Sequence, residues 1–414
     1  MTYDSLLQKR YPGWQSSKTA LETKLFQHTN ANLRLEDDEE LVRIPIVVHV
    51  VHHESSKVVG VGGNISDEQI RSQITVLNED YRRKPGTNGF NTNSVGADTE
   101  IEFFLATCDP NGKPSTGILR IYDTQTEFDI NNDDTRLKSL SYWPSDQYLN
   151  IWIADLKTPF IGYTQFPDMS GLPGLSSSNG PAYTDGAVVD FKMFGRQTGA
   201  ITSKLYNLGR TTTHEIGHWL GLLHTWGDVE CSDGQCTCGD DHCNDTPPTS
   251  SPNDVGADNN CKSVNSNCNG QQTINMIENY LDYSPDKCMN IFTKDQKARM
   301  RNVLKTSPRR LALVQNSTKC LPLPSTEQLT IKVYPNPGNN KIDDLTLVEV
   351  QFKGTQTVYL QLYDVLGRLV VTKDYVELSS TVLSFSNGKL SAGMYFVVIT
   401  NTGGEKAVKR LIVI

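Results

Sequence analysis

Residues 42–53, VRIPIVVHVVHH, form a nearly unbroken β-branched run with a proline near its start, which predicts a buried strand. The period then changes. In residues 64–84, NISDEQIRSQITVLNEDYRRK, Ile70, Ile74, Leu77 and Tyr81 fall on one helical face, and Ser66 with Gln69 has the spacing of a capping box. TEIEFFLATCD (99–109) and YLNIWIADL (148–156) are further strand candidates, with a turn-rich stretch between them. Residues 1–40 are weakly apolar and partly helical in pattern, and end in the acidic run LEDDEE, which reads as a solvated surface or linker. After about residue 325 the pattern becomes alternating strands broken by turn residues: TIKVYPNPGNNK, TVYLQLYDVLGRLVV, GKLSAGMYFVVIT and KAVKRLIVI. They predict a small all-β sandwich over residues 327–414, with no histidine or cysteine and hence no evident chemistry.

The chain has 414 residues, too many for one ordinary core, so two or three domains are expected. A net charge of −8 argues against nucleic acid or an anionic membrane as partner, since either needs a basic face. No apolar run approaches the roughly 18 to 20 residues of a membrane span. The start, MTYDSLLQKRYPGW, shows no signal peptide. Seven of the nine cysteines nevertheless lie between Cys231 and Cys288, in stretches rich in Asn, Asp, Ser and Gly. Such a cluster means metal thiolates in a cytosolic protein and disulfides in a secreted one; disulfides are the favoured reading, with a leader removed or lying outside this sequence.

Three of the eight histidines fall within eleven residues of TTTHEIGHWLGLLH (211–224). On a helix, His214 and His218 share one face, one turn apart, and can reach a single ion. Glu215 is offset by about 100°, near enough to touch a metal-bound water without being a ligand. Gly221 can adopt a positive φ, end the helix and swing the chain so that His224 supplies a third nitrogen. Three neutral nitrogens suit Zn²⁺ and leave a fourth position for water, whose pKa falls towards about 7. Glu215 would then take the water's proton and return it to a leaving amine. His49, His52 and His53 divide between the two faces of their strand and read as ordinary strand histidines.

This stretch resembles the metzincin metallopeptidases. IPIVVHVVHH, ISDEQIRSQITVLNEDYRR, GYTQFP, DGAVVDFKMFG, DHCNDTPP and ENYLDYSPDKCMNIFTKDQKARM resemble landmarks of one branch, the pappalysin family, over residues 42–305. The resemblance implies an α+β catalytic domain over residues 41–320, with a mixed twisted sheet, an active-site helix and an irregular C-terminal subdomain, preceded by a propeptide at 1–40. It implies a secreted zinc endopeptidase acting on proteins or peptides, with His214, His218 and His224 on zinc and Glu215 as general base and acid. Leu281 of NYLDY stands at the family's methionine position; such swaps usually cost less than about 1.5 kcal/mol, so the hydrophobic floor should survive.

Tyr283 matches the tyrosine that can hydrogen-bond the tetrahedral intermediate. Asp286 matches the S1′ position of members that cleave before basic residues, implying Arg or Lys at P1′; it also reads as a turn aspartate in YSPDK. DDHCNDTPP resembles the family's calcium loop, which would take oxygen ligands from Asp241, Thr246, the carbonyl of Cys243 and, assisting, Asp245. Cys236, Cys238, His242 and Cys243 could instead form a second zinc site, but adjacent ligands fit a tetrahedron badly. By position in the family, Cys261 pairs with Cys288, and Cys268 reaches back to Cys231 or another cysteine of the insertion; Cys108 and Cys320 are outliers. No cysteine precedes Cys108, so a cysteine cap on the zinc is not at hand, and Asp37, Asp38, Glu39 or Glu40 of the acidic run could cap it instead.

VYPNP, LYDVLGRLV, LSAGMYFVVI and the ending KRLIVI resemble the C-terminal sorting domain of the type IX secretion system of Bacteroidetes. That implies a bacterial exoprotein, secreted or on the cell surface, whose tail engages the export machinery. A non-catalytic, zinc-stabilised surface adhesin is the alternative. Glu215 distinguishes the two, because a structural zinc site needs no unligated glutamate and is closed by a fourth protein ligand.

Overall fold

The structure, a computed structural model, describes residues 41–54, 57–167, 180–227, 238–253, 261–268, 270–317, 329–340, 344–402 and 405–414. The expected propeptide with its acidic run, Cys231, Cys236 and Cys320 lie outside the described residues. Two compact units are present: residues up to Phe104 with Leu119–Ser317, and Leu105–Ile118 with the C-terminal strands.

The first unit is built on a six-stranded sheet of order β2-β1-β4-β6-β5, with β3 also paired to β1. The strands are β1 (Val42–His52), β2 (Ile101–Leu105), β3 (Ile118–Tyr122), β4 (Leu149–Ala154), β5 (Gly162–Thr164) and β6 (Gly186–Asp190). β1, β4 and β6 run parallel, and β5 pairs antiparallel to β6 at the edge. β1 is buried from Ile44 onwards and β4 and β6 throughout, which is why these segments read as continuous apolar runs.

Helix α1 (Asp67–Tyr81) begins at Ser66, whose side chain accepts from Gln69 N as the sequence predicts. The reciprocal half of the capping box is absent, because the Gln69 amide donates to Phe191 O and Phe194 O and accepts from Ala200 N. Gln73 is likewise buried, donating to Gly209 O and accepting from Gly195 N. Ile70, Leu77 and Tyr81 are buried as their spacing predicts, but the buried surface also runs through Gln69, Gln73, Val76 and Asp80, and Ile74 is only half-buried. Two glutamines replace aliphatics there because the irregular backbone of residues 191–209 needs hydrogen-bond partners. The turn-rich stretch contains β3 and helix α2 (Ile130–Ser139), capped by Asp129.

Helices α3 (Arg210–Trp219), α4 (Lys294–Thr306) and α5 (Pro308–Asn316) complete the first unit; Thr293 and Gln296 give α4 a full capping box. A hairpin of β7 (Asn265–Cys268) and β8 (Gln271–Ile274) lies in the irregular region before α4. The Cys261–Cys288 disulfide forms as expected. Cys268 pairs with Cys238 and not with Cys231, their Cα atoms lying 5.3 Å apart, inside the range a disulfide spans. Cys108 is disulfide-bonded, and the free thiol among the described residues is the buried Cys243.

The second unit packs a three-stranded sheet, β13-β10-β9, on a four-stranded one, β12-β11-β14-β15. β9 is Thr330–Tyr334, β10 Leu345–Gln351, β11 Gln356–Asp364, β12 Leu369–Leu378, β13 Thr381–Ser386, β14 Gly393–Asn401 and β15 Lys406–Val413. All pairings are antiparallel, and alternate residues such as Val348, Val350, Leu360, Leu362, Val397 and Ile399 fill one core, the arrangement of a β-sandwich.

His49 of β1 is wholly buried and stacked on Trp152, its ring centroid 5.3 Å away. Its Nε2 donates to Asn150 Oδ1 at 2.9 Å, and its Nδ1 meets Ser141 Oγ at 2.8 Å. Burial lowers its pKa from 6.5 to about 4, against a smaller opposing effect of Asn150. The unfolded chain thus binds this proton more tightly, so the stabilisation is complete above pH 6.5 and is lost as the pH falls towards about 4. The slope from one such group is at most about 1.4 kcal/mol per pH unit. His49→Gln should flatten the dependence of the urea midpoint on pH in that window. An unchanged dependence would show that His49 carries none of it.

Candidate active site

Helix α3 is buried along its whole length, which leaves its polar residues to bond one another and the surrounding elements. Gly209, at φ +81°, lets the chain turn into it. Asp286 Oδ2 accepts from Leu208 N at 2.8 Å and Arg210 N at 3.2 Å, placing a carboxylate at the positive end of the helix. Asp80 of α1 pairs with Arg210 and accepts from Thr213 Oγ1, and Tyr81 donates its hydroxyl to Thr213 O. At the other end, Leu220 caps the helix and Gly221 turns the chain at φ +88°. A Cβ on Gly221 would lie 2.7 Å from Val303 Cγ2, so glycine is required by space as well as by dihedral angle.

The consequence is that His214, His218 and His224 converge. Their Nε2 atoms are 3.0 Å (214 to 218), 3.0 Å (218 to 224) and 3.2 Å (214 to 224) apart. His214 Nδ1 lies 2.7 Å from Tyr280 O, and His218 Nδ1 lies 2.8 Å from Leu222 O. Carbonyls only accept, so these contacts put the proton on Nδ1 and leave the Nε2 lone pairs facing the common point. His224 is stacked on Trp226 at 4.3 Å. Lone pairs crowded in this way repel unless a cation lies between them, and zinc–nitrogen bonds of about 2.0–2.1 Å suit the spacing. This is the one group of potential metal-binding side chains of its kind among the described residues.

Glu215 follows the first histidine and lies against β5: a Cβ on Gly162 would be 3.0 Å from Glu215 Oε1 and 3.1 Å from its Cγ. Burial pushes the Glu215 carboxyl up to about 8, with no ionised side chain offsetting it. A carboxyl in that range can accept and release a proton near neutrality.

Leu281 is fully buried beneath α3, its Cδ2 3.1 Å from where a Cβ on Gly217 would be, so the floor expected from NYLDY is present. The Tyr283 ring is partly exposed, 4.9 Å from His224 and 4.8 Å from Trp226. Asp286 is buried, and burial raises its carboxyl to about 6 despite the Leu208 amide and the Arg210 charge. In the 241–246 loop, Thr246 Oγ1 contacts Asp241 Oδ1 at 2.8 Å and Cys243 O at 2.7 Å, bringing three of the expected oxygens together. Asp245 Oδ2 accepts from Asp295 N at the start of α4. Burial raises Asp241 to about 7, Thr246 and the Cys243 amide opposing it. Cys238 is in a disulfide, which removes it from the alternative thiolate zinc set.

A mixed sheet with one antiparallel edge strand, lying over a glycine-ended helix with three converging imidazoles, defines a metzincin zinc endopeptidase. The family profile described as pregnancy-associated plasma protein-A, peptidase family M43, matches residues 131–305. Extracellular metalloproteases of Verticillium alfalfae and Colletotrichum graminicola are each 30% identical, over 65% and 66% of this chain and 79% of each relative. Mature mirolysin of Tannerella forsythia, solved in complex with a cleaved peptide, is 37% identical with a TM-score of 0.56, over 68% of this chain and 98% of that one. A promirolysin mutant from the same organism is 35% identical with a TM-score of 0.57, over 73% of this chain and 94% of that one. The chain belongs to the pregnancy-associated plasma protein-A family of metallopeptidases. Residues 332–414 match a secretion system C-terminal sorting domain, which with the extracellular relatives indicates secretion or display at the cell surface. No helix among the described residues is long and apolar enough to cross a membrane.

Gly162 and Trp226 are parts of the site that sequence reasoning missed. Gly162 stands within GYTQFP, but nothing in that motif says which side chain its missing Cβ accommodates. Gly162→Ala should crowd the Glu215 carboxylate and lower kcat about tenfold or more, with zinc content and Tm unchanged; metal analysis beside steady-state kinetics checks this. Unaltered kcat would mean that Glu215 has room to move.

Proposed function

We propose that this exported metallopeptidase cleaves internal peptide bonds with Glu215 as general base and then general acid. The observation that carries the reading is a buried carboxylate with no offsetting charge on the same helix as the converging histidines. Zinc held by His214, His218 and His224 would supply Lewis-acid polarisation of the scissile carbonyl and a usable nucleophile near neutral pH. Glu215 takes the proton from attacking water and delivers it to the leaving amine nitrogen. Tyr283, ring-packed against His224 and partly exposed to solvent, donates its hydroxyl to the developing oxyanion in this reading. β5 is the sheet edge beside Glu215, so an extended substrate can add to it as a further strand, which suits endopeptidase action.

Asp286 is the selector for Arg or Lys at P1′ in this reading. One of its oxygens is taken by the amides that start α3, leaving the other for a substrate cation. The 241–246 loop is a calcium site, with Asp241, Thr246 and the Cys243 carbonyl as hard oxygen donors and Asp245 outside the set. Residues 1–40 are a propeptide, and the C-terminal sandwich is the part addressed to type IX machinery.

A quenched peptide library tests the chemistry. Cutting should occur before Arg or Lys, stop with a zinc chelator and be lost at least about a thousandfold in Glu215→Ala. Asp286→Asn keeps an acceptor for the two amides, so it should retain its Tm while losing the basic preference. Equal cleavage of Leu and Arg peptides by the parent would sink the P1′ assignment.

Calcium is tested by melting the zinc-loaded protein. Added Ca²⁺ should raise Tm by several degrees, and Asp241→Asn should abolish the shift. A parent insensitive to Ca²⁺ would remove calcium from this loop.

A further inference from the structure

Two buried arginines hold the C-terminal end of α3. Arg310 of α5 donates Nε to Trp219 O at 3.1 Å, lies 3.7 Å over the Trp219 ring and pairs with Asp185 at 2.8 Å. Asp185 also accepts from Trp219 Nε1 at 2.9 Å, so carboxylate, indole and guanidinium form one packed lock. Arg310 is accounted for by that lock.

Arg299 of α4 does something else. It is buried, and its Nε donates at 2.7 Å to the carbonyl of Gly221, the residue on which the chain turns towards His224. The same peptide plane is tied on its other side, because Leu222 N donates to Gly217 O at 3.0 Å. Gly221 N donates to His218 O at 2.8 Å, and Leu222 O is the partner of His218 Nδ1. The peptide between Gly221 and Leu222 therefore stands between two zinc ligands, and its carbonyl side is fixed by a side chain from a helix that contributes no ligand. Rotation of that plane would carry Leu222 O away from His218 and change the direction in which the chain leaves for His224. Val303, one turn along α4 from Arg299, blocks the space into which a bulkier turn residue would move.

We propose that Arg299 is the positioning residue of the metal centre, locking the Gly221–Leu222 peptide and through it the orientations of His218 and His224. The inference rests on reading the three histidines as a zinc site. Burying a guanidinium is costly, and a carbonyl at a helix C-terminus is one of the few neutral groups that recompense it.

The test is zinc retention in the full chain, read as the rate of transfer to a chromogenic chelator, in Arg299→Met, Arg299→Lys and Leu77→Ala. Leu77 is buried in α1, so its truncation lowers Tm by a cavity without touching the turn. Loss of an outer partner of a metal ligand typically costs ten- to a hundredfold in affinity. Arg299→Met should therefore release zinc about ten to a hundred times faster than the parent at a temperature where both are folded. Arg299→Lys, which keeps a donor and the charge, should fall between them, and Leu77→Ala should match the parent. The visible bands of the cobalt-substituted protein should shift in Arg299→Met alone. Parent-like release from Arg299→Met, or equally fast release from Leu77→Ala, would overturn the positioning role. A parent that binds no zinc would instead overturn the metal centre itself.

Discussion

Three imidazole nitrogens 3.0–3.2 Å apart, converging on one point, are the constraint from which the rest of the catalytic unit follows. A continuous helix can bring only two of them to that point, since the third residue would project from another face. The helix must stop, and it must stop on a residue free to take φ +88° with no Cβ facing Val303. Once the chain has turned, nothing in α3 itself holds the ligands to the angle. That is done by carbonyls from outside the helix, Tyr280 O for His214 and Leu222 O for His218. Those carbonyls belong to irregular backbone, so the accuracy of the site depends on how firmly irregular backbone can be fixed.

Two devices fix it. One is covalent: Cys261–Cys288 closes the segment that carries Leu281, Tyr283 and Asp286, and Cys238–Cys268 closes the stretch before it, where regular structure is sparse. The other is a network of short polar side chains. Asp282 accepts from Asn253 N, Asn253 Nδ2 and Ser284 Oγ, while Asn279 exchanges hydrogen bonds with Gln296 and receives Leu281 N. Every turn of the segment beneath the histidines is thus braced by an amide or carboxylate whose partners are satisfied, the condition under which buried polar groups rigidify rather than destabilise.

The converging histidines were legible in the sequence because they lie within one short segment. His214, Glu215, His218, Gly221 and His224 occupy eleven residues, and helical geometry with one glycine turn predicts that the three histidines meet. The buried strands were legible for the same reason, a local pattern having one physical meaning. What sequence could not show is complementarity between distant positions. Gly162 matters because Glu215 lies against it, and Arg299 because Gly221 offers a carbonyl; neither relation leaves a trace in local periodicity. Ile74 illustrates the reverse error. Its apolar character suggested the core, but polar Gln69 and Gln73 took the buried face because the loop opposite was short of hydrogen-bond partners. The pairing of Cys268 with Cys238 was undetermined on similar grounds, since three-dimensional proximity and not order along the chain decides it.

The distribution of buried charge separates the scaffold from the site. Several scaffold carboxylates have a cation: Asp80 faces Arg210, Asp185 faces Arg309 and Arg310, and Glu79 faces Arg196. For Asp185 the paired charges outweigh burial and hold its carboxyl below the usual range, the signature of a carboxylate kept ionised to stabilise the fold. Glu215 is enclosed as deeply and has no such partner, so burial alone sets its carboxyl. A scaffold built to be stable would have paired it. Leaving it without an offsetting charge beside three converging imidazole nitrogens stabilises nothing, unless a cation bound at those nitrogens supplies the missing charge. Among these carboxylates Glu215 is the one with no offsetting charge, and it sits beside the three converging imidazoles.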